Sequence, residues 1–319
     1  MARKPDRDEE LDPEKISQLL KNPLELFVPV ISDLPLRDQR DTMERPFFSL
    51  SKKKRRAPID YKSEDGSLWI HVMAHPEFGM ATIWDADILI WAASVIMERH
   101  NSKLNDSSRR LEFSPHELLR AIRRPIGGEH YQRLREALAR LQATVIRTNI
   151  RAKSSRKDRQ FSWIDSFEDL VDEKSGESRG MALELSDWFY EGVIEKGGVL
   201  AIGPEYFDIT GGRERWLYRV ARKHAGGHEG EGFAISLPTL FEKSGAEGAY
   251  RRFKFELRKI TEANELPEFH LAWEERERGE PLLRMTRRSM LTVNHPGYEA
   301  PKRRIASRRS ARSNSQVQP

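Results

Sequence analysis

Apolar positions recur along the chain with two different periods, and the places where one period gives way to the other mark out its elements. The switch is clearest from Ser114 to Ile150. Ser114 followed by Pro115 and Glu117 predicts the start of a short helix: a capping hydroxyl, a residue with no amide to leave unpaired and an acid facing the positive dipole end all suit that position. Gly127 and Gly128 end it and open a second helix, in which Tyr131, Leu134, Leu138 and Leu141 fall at three- and four-residue steps and share an inward face. Gln132, Arg133, Glu136 and Arg140 lie opposite. From Val145 the run VIRTNI alternates as a strand does, and the basic tip Lys153 to Arg159 separates it from a second apolar run beginning at Phe161. Helix, turn, helix and cationic hairpin is the outline of a winged helix, which presents its second helix to a DNA groove.

Residues 1–45 are charged and punctuated by proline, and predict a mobile arm with one amphipathic piece around Ile16, Leu19 and Leu20. Phe47, Phe48 and Leu50 then supply apolar anchors directly before five consecutive bases, Lys52 to Arg56, a block that needs a charged partner or open water. Two alternating runs between Ile59 and Met73 flank Glu64-Asp65-Gly66 and predict a hairpin. Ile88, Leu89, Trp91, Ala92, Val95 and Ile96 predict a central helix that is apolar over a wide face. Between Ile164 and Gly180 the acidic, polar sequence reads as an exposed hairpin turn or linker. A strand, a Ser186 cap and a helix presenting Trp188, Phe189, Val193 and Ile194 follow, and Pro204 marks a boundary.

The second half repeats this order. One helix carries Trp216, Leu217 and Val220, a second is capped by Ser236, a third runs through AYRRFKFELRKI, and two strands flank the charged tip EERERGE. Laying Tyr131 over Tyr250 aligns Arg133 with Arg252, Leu134 with Phe253, Leu138 with Leu257, Arg140 with Lys259 and Leu141 with Ile260. Any amphipathic helix shares this period, so the recurrence of the whole element order is what argues for duplication. The expected fold is α+β, with two tandem winged-helix domains at 46–180 and 181–290 between the arm at 1–45 and a disordered basic tail at 291–319. That tail carries Lys302, Arg303, Arg304, Arg308, Arg309 and Arg312 and is too poor in apolar residues to fold alone.

Charge changes the picture only through its placement, because 55 basic residues are nearly offset by 50 acidic ones. The bases gather on loops, on one face of each third helix and in the tail. An arginine on such a face can bridge two acceptors on guanine. The residues placed to meet DNA are therefore Gln132, Arg133, Glu136 and Arg140 on the first helix and Arg147, Arg151, Lys153, Arg156, Lys157 and Arg159 on its wing. From the second unit they are Arg251, Arg252, Phe255, Arg258 and Lys259. The chain has no cysteine, which excludes disulfides and thiolate metal sites. No apolar run is long enough to span a membrane, and the N-terminus lacks a secretory core, so a soluble cytoplasmic protein associated with DNA is expected.

The remaining polar residues do not assemble a catalytic pattern. No Gly-rich loop ending in Lys-Ser or Lys-Thr occurs. His224 and His228 are separated by Gly226 and Gly227, which weaken a helix that would aim both at one metal. His116-Glu117 has no histidine at the spacing of a zinc peptidase. A strand-nicking enzyme needs a tyrosine near clustered histidines. Tyr250 has Lys254 four residues on, but it falls on the inward face, as Tyr131 does, and both read as core. The expectation is a protein that is not an enzyme and needs no cofactor or metal.

The run RPFFSLSKKKRRAPIDY from Arg45, the run GMATIWDADILIWAAS from Gly79 and the FSPHELLRAI and YQRLREALARL helices together resemble the replication initiator protein A family of bacterial plasmids, over about residues 44 to 290. The resemblance implies an initiator that binds repeated double-stranded sites at a plasmid origin, helps open adjacent AT-rich DNA and recruits host replication proteins such as an initiator, helicase or loader. It also implies repression of its own promoter as a homodimer. A winged-helix transcriptional regulator with no replication role, and a strand-nicking replication enzyme, are the alternatives that the residues themselves leave open.

Overall fold

Aromatic residues determine where the core forms. Phe47 and Phe48, the anchors ahead of the basic block, close over Trp163, with Phe48 stacked on its ring at 4.7 Å and Phe47 meeting it edge-on at 5.6 Å. Phe161 stacks on Trp188 at 4.4 Å in the same cluster. The computed structural model describes residues 34–102, 108–152, 157–171, 174, 178–227 and 232–301. Lys153, Arg156, His228, the amphipathic piece around Ile16 and the tail bases from Lys302 onward lie outside the described residues.

In chain order the elements are β1 (Arg37–Gln39), β2 (Ile59–Lys62), β3 (Trp69–Met73), α1 (Ala86–Asn101), β4 (Arg110–Phe113), α2 (Pro115–Ala121) and α3 (Gly128–Ala143). Next come β5 (Val145–Thr148), β6 (Arg159–Ser162), β7 (Ile164–Val171), β8 (Ser178–Leu185), α4 (Asp187–Ile194) and β9 (Val199–Ala201). The remainder is α5 (Gly212–His224), β10 (Phe233–Ser236), α6 (Leu237–Ser244), α7 (Tyr250–Ala263), β11 (Phe269–Glu274) and β12 (Leu282–Arg287). Helix α1 is buried continuously from Ala86 to Ser94, as its broad apolar face requires. The serine caps form at two of three expected places: Ser186 accepts from the Phe189 amide and Ser236 from the Thr239 amide. Ser114 takes the extended conformation of a cap, but its hydroxyl makes no capping bond.

Two three-stranded sheets share one topology. In the order β4-β8-β7, the strand ahead of the short helix α2 pairs with the last strand of a hairpin, Phe113 against Met181. In the order β10-β12-β11, the strand ahead of α6 does the same, Ser236 against Leu282. Each half thus runs helix, strand, short helix, long helix and hairpin. The hairpin that matches β11–β12 is therefore β7–β8, built from the acidic stretch expected to be an exposed turn or linker.

The hairpin expected as the first wing has a different place. Strands β5 and β6 are inserted between α3 and β7 and extend the β2–β3 hairpin into a four-stranded sheet, β2-β3-β5-β6. Ile146 and Thr148 lie on the same buried face as Ile70 and Val72, which they oppose in register, and the Thr148 hydroxyl donates to the Trp69 carbonyl at 2.6 Å. Burying that apolar face against β3 is more favourable than holding it out as a wing. The arm boundary also moves: Arg37–Gln39 pairs with Val199–Ala201, and Asp38 is buried.

The halves join through buried charge. Along one face of α5, Arg215, Arg219 and Lys223 recur every four residues, and each meets an acid from the N-terminal half. Arg215 donates to Asp87 at 2.6 Å, Arg219 makes two bonds to Asp38 at 2.6 and 3.0 Å, and Lys223 reaches Glu44 at 2.7 Å. Gly245 closes the contact from α6: its φ of +58° ends the helix, and a Cβ there would sit 2.6 Å from Pro46.

Candidate nucleic-acid interface

Helix α7 has a sharply divided surface. Phe253, Leu257 and Thr261 are buried, and Phe253 packs against Trp216 of α5 and Phe241 of α6. The opposite face is basic and open. Arg251, Arg252, Arg258 and Lys259 are exposed, and Phe255 is 59% exposed, with the Lys259 ammonium 4.6 Å from its ring centre. Arg252 bonds to Glu256 at 2.9 Å and Arg258 to Glu262 at 3.2 Å, both one turn along the helix and with the guanidinium groups exposed. Such surface pairs are worth roughly 0.3–0.5 kcal/mol, so a phosphate or base edge can displace them. Among the described residues, Arg251 and Lys259 have no acidic partner. An exposed aromatic ring beside cations is the composition expected of a surface that meets nucleic acid.

Helix α3 keeps the same inward pattern, with Leu134, Leu138 and Leu141 buried. Its outer face is less free. Gln132 donates to Glu136 at 3.3 Å, and Arg133, 64% exposed, is paired with Glu129. Arg135 reaches Asp169 on β7. Arg140, expected to face DNA, instead makes two 2.8 Å bonds to the buried carboxylate of Asp85 at the start of α1. That bond raises its pKa further and fixes it as a structural strut. Its partner in the alignment, Lys259, meets no such acid among the described residues, so the two positions differ in fate despite matching in sequence.

The four described cations expected to contact DNA from the first wing lie on the inserted hairpin or the loop beside it. Arg147 bonds to Asp158 at 2.6 and 3.0 Å and lies over the Trp69 ring. Arg151 is largely buried, 4.0 Å over the Trp188 ring and 3.0 Å from Asp41; burial lowers its pKa and Asp41 opposes the shift. Arg159 is held by Glu191 at 2.5 Å. Lys157 is exposed. The second unit carries cations absent from the expectation: Arg276 and Arg278 are exposed at the β11–β12 tip, and the charged run EERERGE was their signal.

Tyr250 is half buried against Phe241, and its hydroxyl donates to Glu280 at 2.8 Å. Burial and that carboxylate push its pKa up. His224 bonds to Glu44 at 2.7 Å, and among the described residues no three His, Asp or Glu side chains converge as a metal site would require. No helix among the described residues is long and apolar enough to cross a membrane.

The chain is 32% identical over 239 residues to a protein of Wigglesworthia glossinidia brevipalpis named "Putative replication protein", covering 74% of this chain and 84% of that one. Among solved structures it is similar in fold to domains 2 and 3 of RctB, with a TM-score of 0.54 at 13% identity, over 82% of this chain and all of the other. A second structure of those RctB domains aligns over 75% of this chain and 93% of its own, with a TM-score of 0.48 at 14% identity. The family model for replication initiator protein A matches residues 37–271, from β1 into β11, and so takes in the buried joints as well as both basic helices. The chain belongs to the replication initiator protein A family.

Proposed function

We propose that the chain is a noncatalytic plasmid replication initiator that binds repeated double-stranded sites at its origin. Each half acts as a winged helix: α3 and α7 enter the major groove, and the β7–β8 and β11–β12 hairpins act as wings. The observation that carries this reading is the outer face of α7, where exposed cations surround Phe255 on a helix whose other side is packed into the core. Arg251 and Arg252 are suited to bridging guanine acceptors, and Arg258 and Lys259 to neutralising phosphate. Arg133 plays the corresponding part on α3. Binding opens adjacent AT-rich DNA and brings in host replication proteins, and the same sites allow a dimer to repress the gene. Strand nicking through Tyr250 would need a metal site beside it, and among the described residues no three His, Asp or Glu side chains gather there.

The test is replication itself. A small plasmid bearing this gene and its flanking DNA should be maintained in a host that cannot use the vector origin, and Arg252→Ala with Lys259→Ala should abolish maintenance while the protein stays folded. A plasmid that is never maintained, while the protein still represses its own promoter, would identify a transcriptional regulator instead. A covalent adduct between Tyr250 and cut DNA would identify a nicking enzyme.

A further inference from the structure

The basic block ahead of β2 lies beside the start of α7. Between the Ser49–Arg55 loop and the start of α7 lies a cleft of about 310 Å³, walled by Ser49, Ser51, Lys53, Arg55, Arg213 and Arg252, with the Glu247 carboxylate 3.8 Å from Arg55. We propose that this cleft seats a backbone phosphate of the duplex that α7 engages, so that a loop from the N-terminal half completes the DNA interface of the C-terminal half. The inference rests on the reading of α7 as a duplex-reading helix.

The loop is fixed in place before any ligand arrives. The Ser49 amide donates to the Ala81 carbonyl and the Ser49 carbonyl accepts from Ile83, at 3.0 and 2.9 Å. Arg55 is almost fully buried and donates to the carbonyls of Gly245, Ala57 and Pro58 at 2.6, 3.0 and 3.1 Å. On the opposite wall, Gly212 opens α5 so close to the loop that a Cβ would lie 2.1 Å from the Leu50 carbonyl oxygen. The cleft is thus preorganised by both halves, and ordering it costs the complex little. Lys53 is exposed at the opening, and Arg213 lines it with a buried Nε that has no hydrogen-bond partner. Arg213 and Arg252 are both drawn towards Glu256, at 2.6 and 2.9 Å, which holds the two guanidinium groups at the rim.

Phosphate is the ligand class that this chemistry fits. Four cations and two hydroxyls around a small opening suit a compact oxyanion, and Arg252 belongs both to the cleft and to the outer face of α7. A helix lying in the major groove has a phosphate strand along each wall, and contacts to those strands set its register. A cleft at one end of α7 is therefore where such a strand would pass.

Because the chain has no cysteine, one introduced thiol is a unique handle. Full-length Lys53→Cys and Arg251→Cys, each carrying an iron chelate that cuts nearby DNA backbone, are mixed with an end-labelled duplex of mixed sequence. Cutting from both positions is expected. Cutting from 251 but not from 53 overturns the cleft proposal and leaves the α7 reading intact, whereas silence at both overturns the α7 reading and the proposal with it. Independently, Lys53→Ala and Arg213→Ala should each make the slope of log affinity against log salt shallower, by at most about 0.9 because the cleft neutralises one phosphate. An unchanged slope in both variants, with melting temperatures as in the parent protein, likewise overturns the cleft proposal.

Discussion

Removing the Asp87 carboxylate should be among the most damaging single changes in the protein. Asp87 is fully buried, and both its oxygens are used, one by Arg215 and one by Arg124, each at 2.6 Å. Burial raises its pKa and the two guanidinium groups oppose that shift, so the carboxylate and its partners form one coupled unit. In Asp87→Ala, Arg215 stays buried with only the carbonyls of Ile209 and Phe207 as acceptors and no counter-charge. Leaving one partner of a buried pair uncompensated costs about 3–5 kcal/mol. With an m value of about 3 kcal/mol per molar urea, a loss of about 4 kcal/mol lowers the unfolding midpoint by roughly 1.3 M. The assay is urea unfolding of the parent, Asp87→Ala, Arg215→Met and the double variant. The double should lose less than the sum of the singles by about 0.5–3 kcal/mol, since it removes both charges together. Singles within about 1 kcal/mol of the parent, or strict additivity, would refute the view that buried charge joins the two halves.

The other predictions concern the joint and the interface separately. Glu44 is buried, which raises its pKa, but bonds from His224, Lys223 and Lys243 outweigh burial and bring it well below the usual 4.5. A lowered carboxylate pKa stabilises the fold above the unfolded value and loses that effect as pH falls. The stability gap between the parent and Glu44→Gln should therefore shrink steadily as pH falls below about 4.5, and a gap that does not change over that range would contradict it. Gly245→Ala should destabilise by more than about 1 kcal/mol in thermal melts, because the residue has positive φ and its Cβ would strike Pro46. Arg252→Ala should weaken duplex binding with little change in melting temperature, by about 1–3 kcal/mol if the arginine reads a base, as followed by fluorescence anisotropy. Tyr250→Phe should leave duplex binding intact and change the melting temperature little, because the lost bond is to an exposed Glu280 that keeps Lys254 as a partner.

What could be read from the sequence was what depends on neighbours in sequence. The inward faces of α3 and α7 and the hairpin from Ile59 to Met73 formed where local periodicity and turn chemistry put them. So did the caps at Ser186 and Ser236. What was misread depends on partners that only folding brings together, most of them far away in the chain. VIRTNI alternates as a wing strand would, but nothing local reveals that β3 offers it an apolar face. Arg140, Arg147, Arg151 and Arg159 look like free cations until Asp85, Asp158, Asp41 and Glu191 are brought to them. The reverse holds on α5: the spacing of Arg215, Arg219 and Lys223 was visible, but their partners Asp87, Asp38 and Glu44 precede them by most of the first half. The exposed face of α7 was legible because few tertiary acids reach it.

The most direct test of the central claim is footprinting of the purified chain on duplex DNA flanking its own gene. The account predicts repeated protected stretches at concentrations below those that coat unrelated DNA, lost together when Arg252 and Lys259 are both replaced by alanine. Uniform coating without discrete protection, or protection that survives the double replacement, would contradict it.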